Sequence, residues 1–465
     1  MKTLRFIMVS VLVLTFMSAP LFAGGDAEEP AQEEQGATEE RSITFWTTEE
    51  QPERMERQEE IAEDFFEETG IRVDVVPVTE SAMGERVTAA FAAGELPDVI
   101  YHPLAYTLTW MNAGILDSLA ATEVVEALDA DTYSQGVLDL VDIGGEYAAV
   151  PADGWAQLLV YRQDLFEERG LDTPDSYESI LEAVEEFHDP PEMFGFVAAT
   201  DPGEIYMMQV FEHIALANGA DVVDDDGNIT MNTPEMREAF LFYRELVEAS
   251  PPGDLFWQQS RDLYHDDRTP MIIWSPFILH GLAGLRDGVP VTMFDDPTSS
   301  ELAGMTGFAT NLSGPNNPDG AGWTDVRYFG ITVDADIEAA QQFVQYKMDE
   351  AYLDTLEVAA VGKHPVRLGT SDEPNRFVDG WADLEIGEDR SGVMSDFYEE
   401  DVIQSIFDGL QTGTRWGFGR GYGEVTAVLY DTRIVAQILR EFLDGEHTVD
   451  EALEILQSEV ERLVE

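Results

Sequence analysis

The sequence predicts an α/β protein, and three observations predict it. Short apolar runs alternate with amphipathic stretches of helical period along most of the chain. Glycines stand where the amphipathic stretches stop. The 465 residues are 44% hydrophobic and 10% aromatic, enough to build large cores and to exclude global disorder.

The first segment is read as an address rather than as structure. Lys2 and Arg5 precede an apolar run over residues 6–17, too short for a stable membrane anchor, and small residues follow up to Ala23. Residues 1–23 are therefore expected to be a signal peptide cut after Ala23, although Leu21 is large for its position. Residues 24–41 are rich in acids and poor in apolar groups, which predicts a disordered linker. Gly25 stands where a lipidated cysteine could be placed, and the chain has no cysteine, so no thioether lipid anchor is expected. The expected location is periplasmic or secreted.

Ile43-Thr44-Phe45-Trp46 reads as a strand. Residues 52–69 read as a helix with Ile61/Phe65 and Ala62/Phe66 on one face, stopped by Gly70. A strand over 72–78, a helix over 85–93 stopped by Gly94, and a strand over 96–101 follow. This order predicts parallel pairing through right-handed crossovers. Downstream, strands are expected at 158–161, 271–274 and 328–333, with helices at 177–188, 236–249 and from 334 to 348. Thr448-Val449-Asp450-Glu451 is a capping box opening the last helix. No internal repeat and no second linker interrupt residues 42–465.

Composition excludes several functions. Asp and Glu number 93 against 25 Lys and Arg, a formal net charge of −68. Such a surface repels phosphate backbones and anionic lipid, which argues against nucleic-acid and membrane-surface binding. Only Lys2, Lys347 and Lys363 are lysines; arginine supplies the other cations. The acid excess is read as an adaptation to a salty environment, since salt screens self-repulsion. The absence of cysteine removes disulfides, thiolate metal sites and cysteine nucleophiles.

Catalytic and metal motifs fail on inspection. Asp224-Asp225-Asp226-Gly227-Asn228 lacks the alternating ligands and final Glu of a calcium loop and reads as a hairpin turn. Gly419-Arg420-Gly421-Tyr422-Gly423 reads as a mobile loop, not a dinucleotide loop. The seven histidines are never three or four residues apart, so no helical zinc pair exists. No cofactor and no metal are expected.

Four landmarks then carry a resemblance. They are Ile43-Thr44-Phe45-Trp46 with Glu68-Thr69-Gly70-Ile71-Arg72-Val73; Ala93-Gly94-Glu95-Leu96-Pro97-Asp98-Val99 with Ala113-Gly114-Ile115-Leu116; Ala149-Val150-Pro151 with Leu159-Val160-Tyr161-Arg162-Gln163-Asp164-Leu165-Phe166; and Asp444-Gly445 with Thr448-Val449-Asp450-Glu451-Ala452-Leu453. In this order the chain resembles the extracellular solute-binding proteins of ABC importers, in the group that includes maltose-binding protein. The resemblance implies a two-lobed clamshell of type II, each lobe a sheet flanked by helices, with the hinge crossed more than once. Lobe one would hold 42–152 and 323–372, and lobe two 153–322 and 373–465.

The resemblance also implies a ligand in the cleft and a membrane permease as partner, with the binding protein a monomer. Sugars offer C–H faces to aromatic rings and hydroxyls to carboxylates and amides. Carried onto this sequence, the loop after the first strand offers Trp46, Thr48 and Glu49. The next strand end offers Tyr101, His102 and Tyr106. The first hinge segment offers Asp153 and Trp155, and the corner after 271–274 offers Trp274 and Phe277. Trp323, Arg327 and Trp416 are added because each is read as part of a glycine-rich loop. The expected activity is reversible binding of a small polar solute, foremost a carbohydrate, without chemistry. The alternatives are an exported carbohydrate-active hydrolase, which would need a pair of catalytic carboxylates, and a ligand sensor outside transport.

Overall fold

Strand β1 (Ser42–Thr47) runs parallel to β2 (Arg72–Pro77) on one side and to β3 (Val99–Pro103) on the other. The computed structural model that shows this describes residues 41–387 and 389–464; the expected leader and nearly all of the acidic linker lie outside the described residues. The helix Pro52–Thr69 makes the first crossover. Proline opens it, and Gly70, at φ 74°, closes it by donating its N–H to the Phe66 carbonyl. The second crossover helix, Glu80–Ala93, begins five residues before the expected start at 85. It includes Gly84, over which the Tyr106 ring packs; a Cβ there would stand 3.0 Å from the ring. Asp98 locks the three strands to a later helix. Its carboxylate accepts the N–H of Thr44 and the N–H of Asp336, each at 2.7 Å, and Asp336 caps the helix Ile337–Met348.

A second sheet begins almost without a break. Strand β4 (Val150–Ala156) belongs to the first sheet, and after the single residue Gln157 the chain enters β5 (Leu158–Arg162). There β5 is flanked by β6 (Met271–Trp274) and β7 (Thr306–Ala309), both antiparallel to it. The chain returns to the first sheet through β8 (Leu312–Gly314) and the long strand β9 (Asn317–Ile331). A small hairpin pairs β10 (Glu385–Ile386) with β11 (Gly392–Val393), and β12 (Gly413–Thr414) runs parallel to β9.

Strand β9 corrects the sequence reading most. Only its last four residues, from Tyr328, were expected to be extended. Its first half is rich in Asn, Pro, Asp and Gly, which disfavour strands in isolation. Pairing with β8, β12 and β4 supplies what propensity withholds. Gly322 permits the approach, since a Cβ there would stand 2.9 Å from the Gly409 carbonyl. Trp323 and Arg327 therefore sit on a central strand, not in a glycine-rich loop.

Other elements match their sequence signals. The last helix, Val449–Val464, is opened by the Thr448/Glu451 capping box: the Thr448 N–H donates to Glu451 at 2.9 Å, and the Glu451 N–H to Thr448 at 3.3 Å. Residues 224–228 form a turn between Val223 and Ile229. The Asp224 carboxylate accepts the N–H groups of Asp226 and Asn228 at 3.0 and 2.8 Å. Gly419 to Gly423, expected as a mobile loop, instead span the end of a short 3-10 turn (Phe418–Arg420) and the start of the helix Gly423–Thr432.

Candidate functional site

Strands β4 and β9 lie side by side where the first sheet gives way to the second, in the register Trp155↔Asp325 and Asp153↔Arg327. Side chains from both strands open into two adjoining cavities. One, of about 290 Å³, is lined by Thr48, Glu49, Tyr101, Asp153, Trp155 and Phe277, among others, and also by Lys363. The other, of about 230 Å³, is lined by Tyr106, Trp323, Arg415, Phe418 and Tyr430. Glu80, Asp325 and Arg327 line both, so these three residues form the partition.

The first cavity is organised by Lys363. Its ammonium lies 2.9 Å from Glu49 Oε1 and 3.2 Å from Asp153 Oδ2, and it also donates to the Tyr101 hydroxyl. Tyr101 in turn donates to Asp153 Oδ2 at 2.7 Å. The second oxygen of Glu49 holds Arg54 Nη1 at 2.8 Å. All four of Lys363, Glu49, Asp153 and Tyr101 are buried. Burial alone would raise the Glu49 carboxyl, but Lys363 and Arg54 outweigh it and hold it down at about 2. Burial, with the carboxylates of Asp153 and Glu49, pushes the Tyr101 phenol well up, so it stays a neutral donor.

The partition is charged and paired as well. Arg327 Nη1 lies 3.0 Å from Glu80, and Nη2 lies 4.0 Å from Asp325. Burial opposes the charge of Arg327, yet Asp325 and Glu80 raise its basicity. In the second cavity, Arg415 lies 4.5 Å over the Trp323 ring and holds the fully buried Glu212 at 3.0 Å. The indoles of Trp155 and Trp323 are 5.2 Å apart and link the two cavities.

The family model of bacterial extracellular solute-binding proteins matches residues 51–351, from the first crossover helix past β9. The chain belongs to that family. A putative ABC transporter periplasmic-binding protein of Escherichia coli, YcjN, is 29% identical over 250 residues, 53% of this chain and 57% of that one. The match thus spans about half the length of the curated relative. Among solved structures, the sugar-binding protein MalE of Xanthomonas citri superposes with a TM-score of 0.70 at 18% identity, covering 91% of this chain and 97% of that one. A solute-binding protein of Thermotoga lettingae, bound with alpha-D-tagatose, gives 0.64 at 17% identity, covering 91% and 100%. At these identities the likeness establishes the fold, the two-lobed type II clamshell.

In this solute-binding protein the cavities gather eight of the thirteen expected contacts from separate segments: Thr48, Glu49, Tyr101, Asp153, Trp155 and Phe277 in one, Tyr106 and Trp323 in the other, with Arg327 as a ninth between them. Four lie elsewhere. Trp46 is buried within β1 with Arg86 stacked 4.3 Å over its ring. Trp274 is buried within β6, stacked on Trp257 at 5.2 Å. Trp416 is wholly buried and donates its indole N–H to the Ala220 carbonyl at 3.0 Å. These three are core because an alternating strand, or a turn under a helix, sends an aromatic inward as readily as outward. His102 was expected to donate into the cleft. It is fully buried, its Nδ1 donates to the Pro103 carbonyl at 3.0 Å, and burial pulls it down to about 4, so it is a neutral core imidazole.

Sequence reasoning missed Lys363, Arg54, Glu80, Asp325 and Arg415 as site residues. For Lys363 a signal existed. It is one of three lysines in a chain whose other cations are all arginine. The two lysines that the structure describes, Lys347 and Lys363, are both buried.

Proposed function

We propose that this chain is the substrate-binding component of an ABC importer. It binds a small polar solute, foremost a carbohydrate, reversibly in the cleft around Arg327 and hands it to a membrane permease. The observation that carries the reading is the wall of the first cavity. It sets the aromatic side chains of Trp155 and Phe277 beside buried carboxylates whose remaining lone pairs suit hydroxyl groups. The structural neighbours, a sugar-binding protein and a solute-binding protein bound with alpha-D-tagatose, support the same class. The lobes are assigned as 42–152 with 323–372, and 153–322 with 373–465, so that β4 and β9 form the hinge. The protein acts as a monomer outside the cytoplasm, its leader removed.

An enzymatic role is not favoured by the charges. Hydrolysis of a glycoside needs one carboxyl held protonated and one free. Glu49 and Asp153 instead share one ammonium, and Glu49 is held ionised. The test is a thermal-shift screen of residues 24–465 in high salt against sugars, polyols, amino acids and organic acids. A shift with one sugar series, with that sugar recovered intact, is the expected result. A shift only with an amino acid or organic acid would replace the carbohydrate; consumption of the sugar would replace the receptor by a hydrolase.

A further inference from the structure

Every cation that lines the first cavity already holds a carboxylate. Lys363 holds Glu49 and Asp153, Arg54 holds Glu49, and Arg327 holds Glu80 and Asp325. An anionic solute that took Lys363 as its partner would have to displace Glu49 or Asp153, and would leave a buried carboxylate without that compensation. A cationic solute would face the ammonium of Lys363, which stands among the wall residues rather than behind them. Carboxylates fixed this way keep acceptor lone pairs for hydroxyl donors while their charge is spent inside the protein.

From this geometry we infer that Lys363 is the specificity-determining residue of the cleft: together with Arg54 it balances the charges of Glu49 and Asp153, so that the site selects neutral polyhydroxylated solutes over their amino and acid counterparts. The inference rests on the carbohydrate reading above and adds the charge class. Tyr101 completes the device. Its ring lies 4.4 Å under the Lys363 ammonium, and its hydroxyl bridges Lys363 to Asp153. The ammonium is thus held on three sides, by two carboxylates and a ring face, and its position is fixed without the solute.

The residue also ties together four parts of the chain. Glu49 follows β1, Tyr101 lies in β3, Asp153 lies in β4, and Lys363 follows the short turn Ala360–Gly362. Removing the ammonium leaves two buried carboxylates facing the cavity with Arg54 on one of them. Removing the Glu49 charge leaves Lys363 with one carboxylate and Arg54 with none from this site. The two changes tilt the cavity in opposite directions.

The test measures binding of two matched series, glucose with glucosamine and glucuronate, and galactose with galactosamine and galacturonate, by calorimetry on the mature chain. Wild type is expected to bind a neutral member at least about tenfold tighter than either charged counterpart. Lys363→Met is expected to raise the amino-to-neutral affinity ratio about tenfold. Glu49→Gln is expected to raise the acid-to-neutral ratio instead. A purely structural role would weaken all members alike and leave both ratios unmoved, which would overturn the inference. Should Lys363→Met not fold, the Glu49→Gln ratio decides alone. Wild type binding no member of either series would overturn the carbohydrate reading itself; wild type binding neutral and charged members equally would overturn only the selectivity.

Discussion

The indole rings of Trp155 and Trp323 stand 5.2 Å apart, inclined at 49°, on the adjacent strands β4 and β9. Each lines a different one of the two cavities beside Arg327. Trp323 is fully buried and Trp155 only partly. The pair therefore joins a core to a cavity wall, and its two members are expected to answer differently to truncation. Trp155→Ala is expected to lower sugar affinity by about tenfold or more while costing little stability. Trp323→Ala is expected to cost about 3–5 kcal/mol of stability in denaturant titrations, because it opens a large void. Equal stability losses for the two would contradict this division.

Lys347 is expected to give the protein a stability that rises with pH. It is fully buried, donates to Gln58 Oε1 at 2.9 Å, and lies 5.6 to 5.7 Å from the ring centres of Phe45, Phe329 and Phe343. Burial, with a smaller push from Lys363, pulls it from 10.5 down to about 7. The unfolded chain then binds a proton that the folded chain releases in this window. Folding is penalised below about 7, and the penalty fades at up to about 1.4 kcal/mol per pH unit as pH rises toward 10.5. Urea titrations between pH 7 and 9.5 should show this slope in wild type and its loss in Lys347→Met. Parallel curves would refute it.

Glu212 and Arg415 form a buried pair behind the second cavity. Glu212 accepts from Arg415 Nε at 3.0 Å and from the Trp416 N–H at 2.8 Å, and its other oxygen accepts the Tyr430 hydroxyl. Breaking it from one side strands a buried charge. Glu212→Leu is expected to cost about 3–5 kcal/mol, and the double variant with Arg415→Met less than the two single changes together. Strict additivity in a double-mutant cycle would show that the pair is not coupled.

With a formal charge of −68, salt is expected to stabilise the protein. Many of the ion pairs are exposed and individually weak, so the dominant long-range term is repulsion among carboxylates. Raising salt from about 0.1 M to about 1 M shortens the screening length from about 10 Å to about 3 Å. The Tm is expected to climb over that range. A Tm that stays level, or falls, would remove the salt adaptation inferred from composition.

Much of the first sheet could be read from the sequence because its signals are local. The 52–69 helix, its stop at Gly70 and the last helix's capping box depend on residues within a few positions of each other. Strand β9 could not be read in full. Its pairing partners come from β4, β8 and β12, far away in sequence, and its own residues favour turns. The site shows the same divide. The resemblance singled out Asp153 and Trp155, and the structure sets both on a cavity wall, whereas Trp46, Trp274 and Trp416 are buried in the core, because residue type does not say which way a ring faces.

By itself the sequence determined the fold class, the acidic surface, the absence of thiol chemistry and the family landmarks. These follow from composition and from short-range periodicity, which survive without coordinates. Only the tertiary structure decided that Lys363 sits between Glu49 and Asp153. Those residues are 314 and 210 positions away along the chain, and no local pattern sets which distant carboxylates will share one buried ammonium. That choice is made by packing, since two buried carboxylates are tolerable only where the fold brings a cation to both.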